Sequence, residues 1–153
     1  MHYLQAGEYT HLAGEINALY HDAAVKMGVS DSVMNILYVI SEKGDQCLQS
    51  DISRLTGISR QTINSAIRKL EKDEIVVLRQ GRGRNTIVCL TEKGKSFSSE
   101  RIAPLFEIEN KIWNEWTPEE QRQYLTLTKK YRDALKKYLE GSPFSGEAFK
   151  EQT

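Results

Sequence analysis

Residues Leu48 to Leu90, LQSDISRLTGISRQTINSAIRKLEKDEIVVLRQGRGRNTIVCL, decide the fold. They read as two short helices joined by a tight turn, then two strands joined by a loop of Gly and Arg. Gly57-Ile58-Ser59 is the pivot. Gly57 can take the left-handed conformation that closes a helix, and the Ser59 hydroxyl can cap the next one. The second helix, Arg60 to about Lys72, puts Ile63, Ala66, Ile67 and Leu70 on one face, the spacing of a helix packed on a core. At about 100° per residue, Gln61, Asn64, Ser65, Arg68 and Lys69 fall opposite that stripe, with Arg60 and Thr62 on its flanks. These are amide, hydroxyl and cationic groups with no carboxylate among them. They can match both the donor and acceptor pattern of base edges and the charge of phosphates, which a solvated face of mixed Glu and Lys would not.

Charge supports the same reading once its distribution is considered. The 153 residues carry a formal net charge of zero. Between Arg54 and Lys95, however, ten basic residues oppose four acidic ones, a surplus of six that the rest of the chain must offset. A basic segment set against acidic helices orients one side of a molecule toward a polyanion. The length suits one domain able to bury a core without disulfides or a structural metal.

Outward from this segment the chain reads as helical. Tyr9, Leu12, Ala13, Ile16, Leu19, Tyr20 and Ala23 recur at helical spacing within Tyr3 to Met27. Gly28 ends that helix, and Ser30 caps the next, Asp31 to about Glu42, with Val33, Ile36, Leu37 and Ile40 inward. Lys43-Gly44-Asp45 is a turn, and Leu48 leads into the short helix Gln49 to Thr56. Its first turn, near Gln49 and Ser50, can offer backbone N–H groups to a phosphate. Strands are expected at Ile75 to Arg79 and Thr86 to Leu90, joined by the loop Gln80 to Asn85. Thr91 caps a long helix running to about Trp116, with a kink expected at Pro104. Thr117-Pro118-Glu119-Glu120 announces a last helix to about Leu139, since Thr117 and Glu120 can form a capping box and Pro118 suits the first helical position. Beyond Gly141 the composition predicts a loose tail.

Ile52-Ser53-Arg54-Leu55-Thr56-Gly57-Ile58-Ser59, then Thr62-Ile63 and Leu70-Glu71, then Leu90-Thr91-Glu92-Lys93-Gly94 occur in an order that resembles the MarR family of bacterial transcriptional regulators. The resemblance covers Leu4 to about Leu139. It implies a mostly α fold with a small β-hairpin wing. In the family, the N- and C-terminal helices of two subunits interlock and hold a winged helix-turn-helix lobe on either side. That assigns helices at about 3–27 and 91–140 to dimerisation, 31–90 to the lobe and 141–153 to the tail. The helix after Ser59 is expected in the major groove and the wing in the adjacent minor groove. Family wings usually carry an Asp-x-Arg pattern. Here Arg84 matches the arginine and Arg82 stands where the bracing acid would be.

The candidate site therefore comprises Arg60, Gln61, Thr62, Asn64, Ser65, Arg68 and Lys69 on the recognition helix. Arg82 and Arg84 take the wing, with Gln49, Ser50 and Ser59 as backbone anchors. Double-stranded DNA and a second copy of the chain are the expected partners. A regulator of this kind, most often a repressor in the family, would bind a pseudo-palindromic operator. A winged-helix interaction module that docks an acidic partner is the alternative. Family members often bind small aromatic compounds between the dimer helices and the lobe, and Tyr9, His11, Tyr20, Tyr38 and Arg101 are candidates for such an effector pocket, although packing explains each as well.

Other classes find no support. The two cysteines, Cys47 and Cys89, lack CxxC spacing, and Cys89 on the second strand is expected to be buried and inert. The three histidines do not cluster with Cys or Glu as a zinc site requires. No nucleotide loop, GxSxG or metal-ligand spacing points to an enzyme, and no cofactor is expected. The longest apolar run, Ile36 to Ile40, falls far short of the ~20 residues of a membrane span. A cytoplasmic location is expected.

Overall fold

The computed structural model describes residues 3–143. In chain order these form α1 (Tyr3–Met27), α2 (Asp31–Glu42), β1 (Gln46–Leu48), α3 (Gln49–Thr56), α4 (Arg60–Lys72), β2 (Val76–Gln80), β3 (Thr86–Leu90), α5 (Glu92–Arg101), α6 (Ala103–Glu115) and α7 (Pro118–Glu140). The chain groups into two compact units, one up to Phe106 and one from Glu107 on.

In the first unit everything is arranged around α2. Its stripe of Val33, Met34, Ile36, Leu37, Val39 and Ile40 is buried, and Ile36, Leu37 and Ile40 have no exposed surface. This helix touches α1, α3, α4, α5, β1 and β3. Ile52 of α3, Ile63, Ile67 and Leu70 of α4, Val76 of β2 and Val88 of β3 complete the core. Burying an aliphatic side chain of this size contributes roughly 1.5–3 kcal/mol, so the helix pair is fixed chiefly by its apolar faces.

The caps read from the sequence are present. Ser30 accepts from Val33 N–H at 3.2 Å, Ser59 from Thr62 N–H at 3.2 Å and Thr91 from Gly94 N–H at 2.9 Å. Thr117 and Glu120 form the reciprocal capping box, with Pro118 opening α7.

The expected hairpin is present as β2 and β3, and the sheet adds a third strand to it. It has three antiparallel strands in the order β1-β3-β2, with Cys47 opposite Val88 and Leu78 opposite Val88 on the other side. Leu48 thus ends a strand before it precedes α3. Gly44 and Asp45, at φ +81° and +70°, turn the chain so that Asp45 C=O accepts from Leu90 N–H at 2.9 Å. Three residues are too few for alternation to announce a strand; pairing to β3 makes it one.

The expected long helix after Thr91 is two helices. The break falls at Ile102, not within a kinked helix at Pro104. Proline has no N–H to donate and its ring crowds the preceding turn, so it starts a helix more readily than it continues one. Pro104 accordingly sits at the beginning of α6. The first strand of the hairpin begins one residue late, at Val76, and Cys89 on the second is half-buried and not fully enclosed.

One close approach locks the chain just ahead of β2 to α5. A Cβ placed on Gly94 would lie 1.9 Å from Ile75 C=O, while Thr91 Oγ1 donates to Glu74 C=O at 2.6 Å. Only a residue without a side chain allows this packing.

In the second unit, Trp113, Trp116 and Tyr124 pack ring against ring with centroids 5.1–5.9 Å apart, and Gln121 Nε2 donates to Trp113 C=O at 2.6 Å. Along α7, by contrast, Leu127, Tyr131, Leu135 and Tyr138 are exposed. In the first unit Leu12, Ile16 and Leu19 of α1 are exposed as well. No single described helix is long and apolar enough to cross a membrane. Residues 144–153, most of the tail expected to be loose, lie outside the described residues.

Gly94→Ala should destabilise the protein by ~2 kcal/mol or more, because the methyl group meets backbone and not a movable side chain. Thermal unfolding followed by circular dichroism should show a midpoint about 5 °C lower or more. An unchanged midpoint would mean that α5 and β2 can separate without loss.

Candidate nucleic-acid interface

The turn between α3 and α4 is held by its own side chains. Gly57 adopts φ +69° and its N–H donates to Ser53 C=O at 3.0 Å. Ser53 Oγ donates to Ile58 C=O at 2.9 Å, and Ile58 N–H donates to Thr56 Oγ1 at 3.2 Å. Ser59 then caps α4 and also bonds the Thr62 hydroxyl at 2.9 Å. Ser59 and Thr62, two of the four hydroxyl residues expected to contact DNA, are therefore part of the helix start, which fixes the direction in which α4 leaves the turn.

From that turn a cleft opens between three elements. Gln49, Ser50 and Ser53 of α3, Arg60 and Asn64 of α4, and Arg84 of the wing line a volume of ≈ 290 Å³. Gln49 Nε2 donates to Asn64 Oδ1, which ties the first turn of α3 to the second turn of α4. Leu48 at the N-cap of α3 offers no side-chain acceptor, so the first N–H groups of that helix keep no cap from it. Ser53, Asn85 and Thr86 join the lining without having been singled out in the sequence. A contact between side chains fifteen residues apart leaves no trace in periodicity. The folded turn brings them together.

The wing is a short turn. Gly81 N–H donates to Asn85 C=O at 2.8 Å, Gln80 Nε2 donates to Gly83 C=O at 2.7 Å, and Gly83 takes φ +63°. Arg82 and Arg84 are exposed at its tip. Among the described residues no ion pair involves Arg60, Arg68, Lys69, Arg82 or Arg84, whereas Arg54 is paired with Asp51 at 3.1 Å. The cations on this side therefore retain their charge for a partner.

Not all the candidate residues converge. Gln61, Ser65 and Arg68 lie on the exposed back of α4, while Arg60 and Asn64 line the cleft. Lys69 is on the other flank and lines a second cavity with Asp73 and residues of α5. Of the residues considered for an effector, Arg101 lines that second cavity. Tyr38 is stacked on Phe106 with centroids 4.3 Å apart, and Tyr9, His11 and Tyr20 are exposed on α1 and line neither cavity.

On the sheet, Arg79 donates through Nε to Cys89 Sγ at 3.1 Å and through Nη2 to Gln46 Oε1 at 2.5 Å. Burial first, then the charge of Asp51, pushes the Cys47 thiol up to about 11. The thiolate fraction at pH 8 is then about a hundredfold below that of an unperturbed thiol. In a Cys89→Ser protein, iodoacetamide should label Cys47 about a hundredfold more slowly than free cysteine at pH 8, with the rate still rising as pH passes 10. Labelling as fast as free cysteine would refute this.

A helix-turn-helix followed by a hairpin, with a short third strand ahead of the first helix, defines a winged-helix lobe. Residues 27–84 match the MarR family. No match to a curated protein reaches significance. Among solved structures, NMB1585, a MarR family regulator from Neisseria meningitidis, is 14% identical with a TM-score of 0.81, covering 90% of this chain and 97% of that one. The S. aureus MepR–DNA complex is 14% identical with a TM-score of 0.65, covering 87% and 99%. Bordetella bronchiseptica BpsR, whose DNA binding is regulated by 6-hydroxynicotinic acid, is 17% identical with a TM-score of 0.61, covering 82% and 98%. Residues 27–84 are thus similar to the MarR family in sequence, and most of the chain shares the fold of these regulators.

Proposed function

We propose that the protein is a sequence-specific DNA-binding transcriptional regulator with no enzymatic activity, acting in the cytoplasm as a homodimer on a pseudo-palindromic operator. The observation that carries this reading is the cleft in which α3, α4 and the wing bring Gln49, Ser50, Arg60, Asn64 and Arg84 together. Amides, hydroxyls and cations without ion pairs suit a surface that must meet phosphates and base edges at once. In this reading Gln61, Asn64, Ser65 and Arg68 face base edges in the major groove. Arg60, Thr62 and Lys69 serve phosphates, Gln49, Ser50 and Ser59 anchor the backbone, and Arg82 and Arg84 reach the minor groove.

The exposed apolar residues of α1 and α7 support a second copy as partner, since stripes of Leu, Ile and Tyr on terminal helices are costly to leave in water. The helices at about 3–27 and 91–140 would then form the dimer region and 31–90 the DNA-binding lobe. Repression is the sign we assign. Release by a small aromatic compound is part of the reading, with Tyr9, His11, Tyr20, Tyr38 and Arg101 as the candidates, and BpsR gives a precedent for regulation of DNA binding by such a compound.

Selection of bound duplexes from a random DNA pool tests the whole reading: an inverted repeat with half-sites about 10 bp apart is expected. Recovery of no motif by a folded dimer would favour the protein-interaction alternative. On the selected operator, Arg68→Ala should cost ~1–3 kcal/mol and much less on random DNA. Arg84→Ala should weaken both and flatten the salt dependence by about one unit. Equal losses on both DNAs for Arg68→Ala would remove it from base readout.

A further inference from the structure

The two amides of the wing cleft play unequal parts. Gln49 Nε2 donates to Asn64 Oδ1, and both residues line the space between α3, α4 and the wing. We propose that Gln49 is a positioning residue for base readout. By holding the Asn64 oxygen toward α3 it leaves Asn64 Nδ2 as the reading group, so that the protein selects guanine over adenine at the base pair Asn64 meets. The inference rests on the DNA-binding function proposed above and adds to it which base edge is read.

Hydrogen-bond inventory is the first argument. A primary amide has an oxygen with two lone pairs and a nitrogen with two N–H donors. The common match to asparagine is adenine, whose N6 amino group donates to the oxygen while N7 accepts from the nitrogen. That match needs both amide atoms open to the base, and here the oxygen is already engaged. An adenine amino group would have to approach it beside Gln49 Nε2, so that two amino groups crowd one acceptor. The nitrogen is in the opposite position. Asn64 is exposed, no carboxylate lines the cleft, and among the described residues no partner takes the N–H groups of its Nδ2. Guanine shows N7 and O6 in the major groove, two acceptors and no donor, which suits a group that only donates. Cytosine shows a donor there and is the poorest partner.

Rigidity is the second argument. Gln49 is the first residue of α3 and follows Leu48, which pairs with Ile87 across the sheet. On α4, Asn64 stands next to Ile63 and one turn before Ile67, both buried in the core. The link therefore joins two backbones that are each anchored, and the amide is oriented before DNA arrives, so less side-chain freedom remains to be lost on binding. One neutral hydrogen bond biases two orientations of a side chain by about fivefold.

The test is selection from random DNA pools run in parallel on the wild type, Asn64→Ala, Gln49→Ala and Gln49→Glu, each shown to be folded by circular dichroism. The base pair at which Asn64→Ala loses its preference is the one that Asn64 reads. The wild type should favour guanine over adenine there by about fivefold or more. Gln49→Ala frees the oxygen, and adenine should gain about fivefold relative to guanine. Gln49→Glu goes further, because a carboxylate only accepts. It takes an N–H from Asn64 Nδ2 and turns the oxygen outward, so the donating edges of adenine and cytosine should be selected although the added charge weakens binding to every duplex. A role in packing alone would lower affinity for all sequences and leave the preference in place. Adenine favoured by the wild type, the wild-type preference retained in Gln49→Ala, or no position altered by Asn64→Ala would overturn the inference. The link itself is read without DNA: the side-chain amide protons of Gln49 should move upfield in the NMR spectrum of Asn64→Ala, and unmoved resonances would overturn it. A folded chain that enriches no motif would refute the proposed function and the readout with it, while the NMR comparison would still decide the link.

Discussion

Exclusion of water from α2 is the condition on which the first unit depends. Ile36, Leu37 and Ile40 are sealed by α3, α4, α5 and the sheet together, so none of these elements can be placed without the others. A residue on α4 thereby gains a fixed relation to the wing, whose strand β2 packs directly on that helix. Removing a buried Leu or Ile from such a centre typically costs 2–5 kcal/mol, a large share of the total stability of a domain. The polar surface is positioned by this apolar arrangement, and its own hydrogen bonds refine it.

The second principle is the division of labour on α4. One flank, with Arg60 and Asn64, turns to α3 and the wing. The other, with Lys69 and Asp73, turns to α5. The exposed back between them carries Gln61, Ser65 and Arg68. A single helix therefore borders two cavities of similar size, and whatever fills one acts on the same rigid rod that borders the other. The hydroxyls of Ser59 and Thr62 stabilise the start of that rod by their bonds to each other and to the backbone.

Much of this was legible in the residues. Caps at Ser30, Ser59, Thr91 and Thr117 were readable because a hydroxyl before an apolar stripe has a local purpose that periodicity reveals. The apolar face of α4 and the Gly-rich wing were readable for the same reason. Three features were not. The strand at Gln46–Leu48 exists only through its partner, the division of the helix after Thr91 falls at Ile102, two residues ahead of Pro104, and the link between Gln49 and Asn64 joins side chains on different helices. Lys93 looks like an ordinary surface lysine in the sequence, and only the fold sets it and Lys69 beside Arg101. Local chemistry can be read from local sequence; convergence cannot.

The central strand of the sheet has a consequence in time. β1 pairs with β3 and not with its nearer neighbour β2, joining Gln46 to Cys89 across more than forty residues of chain. Such a closure is entropically expensive and comes late, after helices that form from neighbouring residues. During synthesis from the N-terminus the α3 and α4 helices can each form while their strand partner has yet to leave the ribosome. Until residue 90 emerges, the chain carries formed but unplaced helices beside an open strand, and β3 is the piece that converts them into a closed structure.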